Sequence, residues 1–365
     1  LEFLIEYGLF LAKAITIVVA VILIIAAIAN SSQKQGKSDK KGRIKVTRLN
    51  EHFEELRDSL RHSVLEKTEL KALEKEEKKQ KKAEEKAKKA QAKQALKDGP
   101  KEGQTGEQGD SPERKPRVYV LNFEGNIPAD GVDSLREEIS AVLSMAEPAD
   151  EVLLRLESPG GMVHAYGLAS SQLMRIKNQK IPLTICVDKV AASGGYMMAC
   201  LADRLVAAPF SIIGSIGVLM QLPNFNRVLK KHDVDFEQIS AGEYKRTLST
   251  FGEITEKGRQ KAKEDVESIH EIFKGWVKEH RPVVDIDKIA TGETWLGVQA
   301  KERYMVDDIR TSDECIIKAC EEADVFEVEF ELKKSLQDKM GRAFGSVFDS
   351  LYGKFFEKSE TRHYQ

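Results

Sequence analysis

Ser193 stands in the stretch Ala191-Ala192-Ser193-Gly194-Gly195-Tyr196, with small residues on both sides and an apolar run behind it. That pattern presents a hydroxyl at the start of a buried helix, where unpaired amides face any negative charge that develops nearby. Acyl transfer needs this arrangement, although an ordinary serine N-cap followed by a packing glycine pair would look the same. Upstream, Ser158-Pro159-Gly160-Gly161 follows the apolar run 152–156. Glycines after a strand let backbone amides turn toward an oxygen, which is how an oxyanion site is built without side chains. A plain type II turn uses the same Pro-Gly pair.

A nucleophilic serine needs a base. His164 follows the Pro-Gly-Gly turn and His232 ends an amphipathic segment beside Lys230 and Lys231, so a distant Ser-His-Asp triad stays open without support. The other source is Lys245, in Ala241-Gly242-Glu243-Tyr244-Lys245-Arg246. A lysine in water is protonated and becomes a base only when desolvation or a neighbouring cation lowers its pKa.

The elements that must position these groups alternate. Apolar runs at 118–123, 152–156, 183–187 and 205–208 read as strands, and 132–145, 165–177, 194–202 and 225–231 as helices. This is an α/β domain with a mostly parallel sheet, in which working groups lie beyond the carboxyl ends of strands. A long amphipathic helix at 255–280 and the segment 298–309 close the domain. A short helix at 316–322 and the alternation from Val325 to Phe330 add one more edge strand.

The order Ser-Pro-Gly-Gly, Ala-Ala-Ser-Gly-Gly-Tyr, Gly214-Ser215-Ile216-Gly217-Val218 and Gly242-Glu243-Tyr244-Lys245 resembles the signal peptide peptidase A family of serine peptidases, peptidase family S49. The anchor-like, charge-extended N-terminus is similar to the SohB-like, membrane-anchored branch of that family. The resemblance covers about residues 117–311 and implies a ClpP-like and crotonase-like fold with a Ser-Lys dyad. Carried over by position, Ser193 is the nucleophile, Lys245 the general base and Ser215 a supporting hydroxyl on the lysine. The amides of Gly160, Gly161 and Gly194 form the oxyanion site. No metal or organic cofactor is implied. Tyr304-Met305-Val306-Asp307 departs from the Gly-Leu-Val-Asp often found there. Related peptidases form rings in which serine and lysine come from adjacent subunits. A homo-oligomer is therefore expected, with Ser193 and Lys245 too far apart to hydrogen bond within one chain and the lysine loop exposed.

The ends of the chain are organised differently. The net charge of −2 is a near-cancellation of 57 basic and 59 acidic residues, many of them in one run. Residues 7–29 are apolar apart from Lys13 and Thr16, long enough to cross a bilayer as a helix. A cleaved leader or a buried core helix would be the alternatives. Lys34, Lys37, Lys40, Lys41, Arg43, Lys45 and Arg48 follow it, while no lysine or arginine precedes Lys13, which by the positive-inside rule leaves the bulk of the chain cytoplasmic. The expectation is a single-pass protein of a bacterial inner membrane. Its parts are an anchor at 1–30, a charged helical extension at 31–98, a flexible linker at 99–116, the peptidase domain at 117–313 and a tail at 314–365.

Within the extension, 71–97 is nearly all Lys, Glu, Ala and Gln and has no apolar stripe to bury, so it reads as a solvated or partly ordered spacer. Interleaved acids and absent aromatics argue against nucleic-acid binding. Met340, Phe344, Val347, Phe348, Leu351, Phe355 and Phe356 form a helical apolar stripe that packs on its own domain, a partner or the membrane surface. The four cysteines show no metal-ligand pairing and read as buried thiols. The substrates expected are peptides and unfolded or membrane-derived proteins. The competing reading is a crotonase-like scaffold at the membrane that binds or assembles without cleaving anything.

Overall fold

The computed structural model describes residues 42–73 and 114–332, with positions 13, 16, 75, 76, 79, 82 and 86 besides. The expected anchor at 7–29 apart from Lys13 and Thr16, nearly all of the linker and the apolar stripe after Lys339 lie outside the described residues. Among the described residues no helix is long and apolar enough to cross a membrane. The chain divides into two units, Ile44–Phe330 and a second composed of Leu1–Arg43 with Glu331–Gln365. In the second, Arg43 pairs with Glu331 at 3.0 Å.

From the N-terminal side the elements are β1 (Gly42–Arg48), α1 (Leu49–Val64), β2 (Arg117–Glu124), α2 (Val132–Leu143), β3 (Glu151–Glu157), α3 (Val163–Asn178), β4 (Leu183–Val187), β5 (Val190–Ala192), α4 (Gly194–Ala199) and β6 (Arg204–Ala207). There follow β7 (Ile212–Gly214), α5 (Asn226–Lys231), α6 (Glu256–His280), α7 (Ile286–Ile289), β8 (Thr294–Leu296), α8 (Gly297–Glu302), β9 (Asp308–Ile309), α9 (Ser312–Glu322) and β10 (Asp324–Leu332). A seven-stranded sheet has the order β1-β10-β2-β3-β4-β6-β9, and every neighbouring pair from β10 to β9 is parallel.

A parallel sheet must be covered on both faces, and the period-two alternation of its strands supplies two apolar faces. Tyr119, Leu121, Phe123, Leu154, Leu156, Ile185 and Val187 belong to one buried cluster that also holds residues of α2, α3 and α4. Val118, Val120, Leu153, Cys186 and Val206 belong to another, with Leu49 of α1 and Cys315 and Ile316 of α9. The α/β class and its parallel sheet are thus as the alternation implied.

Two points differ from the expectation. The strand at 325–330 is not an edge strand, because β10 lies between β1 and β2. Its outer neighbour comes from the stretch 31–98 expected to be a charged helical extension, where the charges of β1 serve as cross-strand partners: Lys45 to Glu329 at 3.2 Å and Arg48 to Asp324 at 2.8 Å. The compact unit accordingly starts at Ile44, well before Arg117. The second difference is a separate three-stranded sheet, β5-β7-β8, with β5 and β7 parallel and β7 and β8 antiparallel. This small sheet positions the serines.

Candidate active site

Ser193 follows β5 and directly precedes α4, a helix whose residues are buried except Met197. Its backbone is at φ 51 and ψ −117, a sparsely populated conformation that costs roughly 1–3 kcal/mol and persists only where surrounding structure enforces it. The enforcement is visible: the Ser193 amide donates to the Gly214 carbonyl at 2.7 Å, and the Ser193 carbonyl accepts from Met197 at 3.0 Å. The side chain makes no capping hydrogen bond, so the N-cap alternative does not hold. The hydroxyl is half-buried on a strained elbow between strand and helix, a geometry that presents it outward.

The Pro-Gly-Gly loop lies against this elbow. Gly160 has φ 89, and a Cβ built on it would come within 2.7 Å of Gly194 N and of Ser193 Cβ. At Gly161 a Cβ would fall 2.1 Å from the Ile127 carbonyl oxygen, and at Gly194 it would meet the Tyr166 ring at 2.4 Å. Each glycine is required by a neighbouring chain that approaches too closely for any side chain. Gly194 is the first residue of α4, where an amide has no intrahelical acceptor. The Gly161 amide also has no hydrogen-bond partner among the described residues. Gly160 differs, since its N–H donates to Ser158 Oγ at 3.1 Å. In this structure two of the three expected amides are therefore free.

Ser215 occupies the equivalent place on the neighbouring strand. Ala192 and Gly214 are register partners of β5 and β7, so Ser193 and Ser215 leave the two strands side by side, both at φ 51. The Ser215 amide donates to Glu293 O at 2.6 Å, and His270 Nε2 meets the Ile216 carbonyl at 3.2 Å. Gly214, at φ 111, is pressed against Trp295, where a Cβ would sit 2.8 Å from the ring. The three residues of Val190–Ala192 and the three of Ile212–Gly214 are too short to show a strand period, so the pairing of the serines was not legible beforehand.

Lys245 is exposed, and its side chain makes no hydrogen bond to Ser193 or to any other described residue. It lines a cavity of about 680 Å³ with Leu222, Phe236, Ile239, Arg246 and Phe251. None of Ser193, Ser215, Gly160, Gly161 and Gly194 contributes to that cavity. The surrounding arm leaves large apolar side chains in solvent, Ile239 at 90% and Leu219 at 75% exposure among them. His164 and His232 are exposed and bond to neither serine.

Behind the elbow, Tyr196 is fully buried and its hydroxyl donates to Met305 O at 3.0 Å, burial pushing its pKa upward. Arg281 donates to Tyr304 O at 2.7 Å and pairs with Asp307 at 2.6 Å. Tyr304 has φ 58, the backbone a glycine adopts readily, which accounts for the glycine often present in the resembling motif. Among the described residues no group of His, Cys, Asp and Glu is placed to hold a metal ion.

These features agree with the comparisons. The family model "Peptidase family S49 N-terminal" matches residues 2–173 and "Peptidase family S49" matches residues 175–326. The chain is 49% identical over 341 residues to "Probable protease SohB" of Haemophilus influenzae, covering 93% of each chain. It is 44% identical over 317 residues to the protein of the same description from Buchnera aphidicola subsp. Schlechtendalia chinensis, covering 87% of this chain and 99% of that one. "Protease 4" of Haemophilus influenzae is 28% identical over 211 residues, covering 56% of this chain and 34% of that one. The chain is a peptidase-family protein with SohB proteins as close relatives over most of its length, and it belongs to peptidase family S49.

Proposed function

We propose that the chain is a membrane-bound serine endopeptidase in which Ser193 attacks a peptide carbonyl and Lys245 of a neighbouring copy takes the serine proton. The observation that carries this reading is the Ser193 elbow, strained at φ 51 and ψ −117 with its side chain left uncapped and Gly160 packed against it. Strain of that size is retained where the geometry is used. The tetrahedral intermediate would place its oxyanion near the free amides of Gly161 and Gly194, the protonated lysine would return its proton to the leaving amine, and water would hydrolyse the acyl-enzyme. Ser215, which follows β7 and lies beside Ser193, would hydrogen bond the incoming lysine amine.

The neighbouring copy enters for a physical reason. A lysine accepts a proton only when desolvated, and one chain leaves Lys245 in solvent on an arm with exposed apolar side chains. Burying that arm on a second copy would supply the desolvation and complete the site. The anchor at 7–29 would hold the assembly on a bacterial inner membrane with the body cytoplasmic. Substrates would be membrane-derived or signal-peptide-like peptides and unfolded proteins, with no metal, organic cofactor or nucleic acid.

A fluorophosphonate probe should label the wild-type chain and not Ser193→Ala. An assembled wild type that takes no label would favour the non-cleaving scaffold. Mixing inactive Ser193→Ala with inactive Lys245→Ala should restore part of the peptidase activity, because some interfaces then join an intact serine to an intact lysine. No recovery from demonstrably mixed assemblies would remove the shared site.

A further inference from the structure

Beneath the Pro-Gly-Gly loop lies a pair of buried hydroxyls that the reaction scheme does not use. Ser158 and Tyr166 are both wholly inaccessible, and their oxygens are 2.5 Å apart. Tyr166 Oη donates to the Asn126 carbonyl at 2.8 Å. Its one proton is spent there, so the Ser158 proton goes to Tyr166 and a Ser158 lone pair is left to accept the Gly160 N–H at 3.1 Å. The chain of donors is therefore Gly160 amide to Ser158 to Tyr166 to Asn126 carbonyl.

The pair touches every segment that builds the serine end. A Cβ on Gly125 would lie 2.4 Å from Tyr166 Oη and 2.6 Å from Ser158 Oγ. One on Gly194 would strike the Tyr166 ring, and one on Gly195 would come within 2.5 Å of Ser158 O. The Ser158 carbonyl also accepts the Ala192 amide at 3.0 Å, immediately before the nucleophile. A satisfied buried network of this kind rigidifies what surrounds it, and an oxyanion site stabilises charge only when its donors are fixed beforehand.

We propose that Ser158 and Tyr166 are a positioning pair: they hold the Gly160 amide out of the oxyanion site and fix the loop so that the Gly161 and Gly194 amides serve as the donors. The inference rests on the serine-peptidase reading of Ser193. Neither hydroxyl touches substrate, so their removal acts on the transition state through the loop and leaves ground-state binding alone.

The test uses the full chain in detergent, a quenched-fluorescence peptide with leucine before the cut, and a peptide aldehyde of the same sequence that forms a tetrahedral adduct on the serine. Ser158→Ala and Tyr166→Phe should each lower kcat by about 10- to 100-fold with KM changed by less than about twofold, and weaken the aldehyde by the same factor as kcat. Because the two hydroxyls act as one unit, the double variant should be no worse than the worse single one. Tyr166→Phe keeps the buried ring and stands in where Ser158→Ala loses its fold. An unchanged or raised kcat in both variants, a loss carried by KM, or losses that multiply in the double variant would overturn the positioning role. Wild type that fails to cleave the peptide, or cleavage that survives Ser193→Ala, would instead sink the serine-peptidase reading itself.

Discussion

The two halves of the proposed dyad sit in opposite physical settings. At the serine end, backbones crowd so closely that Gly160, Gly161, Gly194 and Gly195 each leave less than 3 Å for a Cβ, and the helix that follows is almost wholly buried. On the lysine arm Gly242, at φ 97, has nothing nearer to a Cβ position than the Lys245 side chain at 3.8 Å, and every residue from 219 to 246 is exposed except Asn226 and Leu229, which are partly buried. One end is organised by packing inside its own chain. The other is left for something outside the chain to organise.

The largest effect that follows is at Gly194. Alanine there would drive a methyl into the Tyr166 ring, so Gly194→Ala should abolish fluorophosphonate labelling and destabilise by about 3 kcal/mol or more. Gly242→Ala meets open space and suffers only from its positive φ, about 1 kcal/mol, on an arm with little packing to transmit the strain. Labelling and thermal midpoint measured on both variants would reverse the comparison if Gly242→Ala proved the more damaging. Next in size is Lys245→Arg. A guanidinium keeps charge and reach but does not give up its proton at working pH, so Lys245→Arg should lose turnover as completely as Lys245→Ala, while both keep the Ser193 elbow intact. Substantial turnover in Lys245→Arg would make the lysine a binding residue.

The same contrast explains what could be read from the sequence. The strands β2, β3, β4 and β6 and the helices α2, α3 and α6 announce themselves by period, since each has a face to bury. Ser193 and the Pro-Gly-Gly loop were legible because glycine beside serine has few uses. What stayed hidden depended on partners far away in the chain: Lys45 and Arg48 look like surface charge until Glu329 and Asp324 lie across from them. The commitment of the Gly160 amide to Ser158 was hidden for the same reason, because Ser158 gains its role only through Tyr166 and Asn126. Ser215 was reached by resemblance, and its register beside Ser193 follows from strands too short to show a pattern.

A smaller effect separates the titration of the packed body from that of the arm. Glu138 on α2 is buried, which pushes its carboxyl up to about 7, against the hydrogen bond that Oε1 accepts from Phe330 N at 2.8 Å. Its other oxygen is buried without a partner. An unfolded glutamate titrates near 4.3, so between there and about 7 the folded chain holds a proton the unfolded chain has released. The corresponding stability, on the order of 3 kcal/mol, is complete below about pH 4, declines as pH rises and is gone above about 7. Glu138→Gln keeps an acceptor for Phe330 and does not titrate. Denaturant midpoints at pH 5 and pH 8 should therefore differ less in Glu138→Gln than in wild type. An equal difference in the two proteins would mean that Glu138 keeps an ordinary carboxyl pKa.

The smallest expected effect tests how firmly the serine end is braced from behind. Tyr304 holds φ 58 with its ring largely in solvent, so its side chain returns little for a backbone conformation that costs an L residue about 1 kcal/mol. The conformation is imposed by its neighbours: Arg281 grips the Tyr304 carbonyl, Met305 is buried, and the Met305 carbonyl receives the Tyr196 hydroxyl from the helix that starts at the nucleophile. Tyr304→Gly should relieve the strain, offset in part by the greater freedom of glycine in the unfolded chain. The expected net gain is about 0.5 kcal/mol, read as a higher denaturant midpoint with the rate of Ser193 labelling unchanged. A slower labelling rate without loss of stability would show that the tyrosine side chain braces α4 itself. The packed serine end would then extend outward to a residue that the structure leaves mostly exposed.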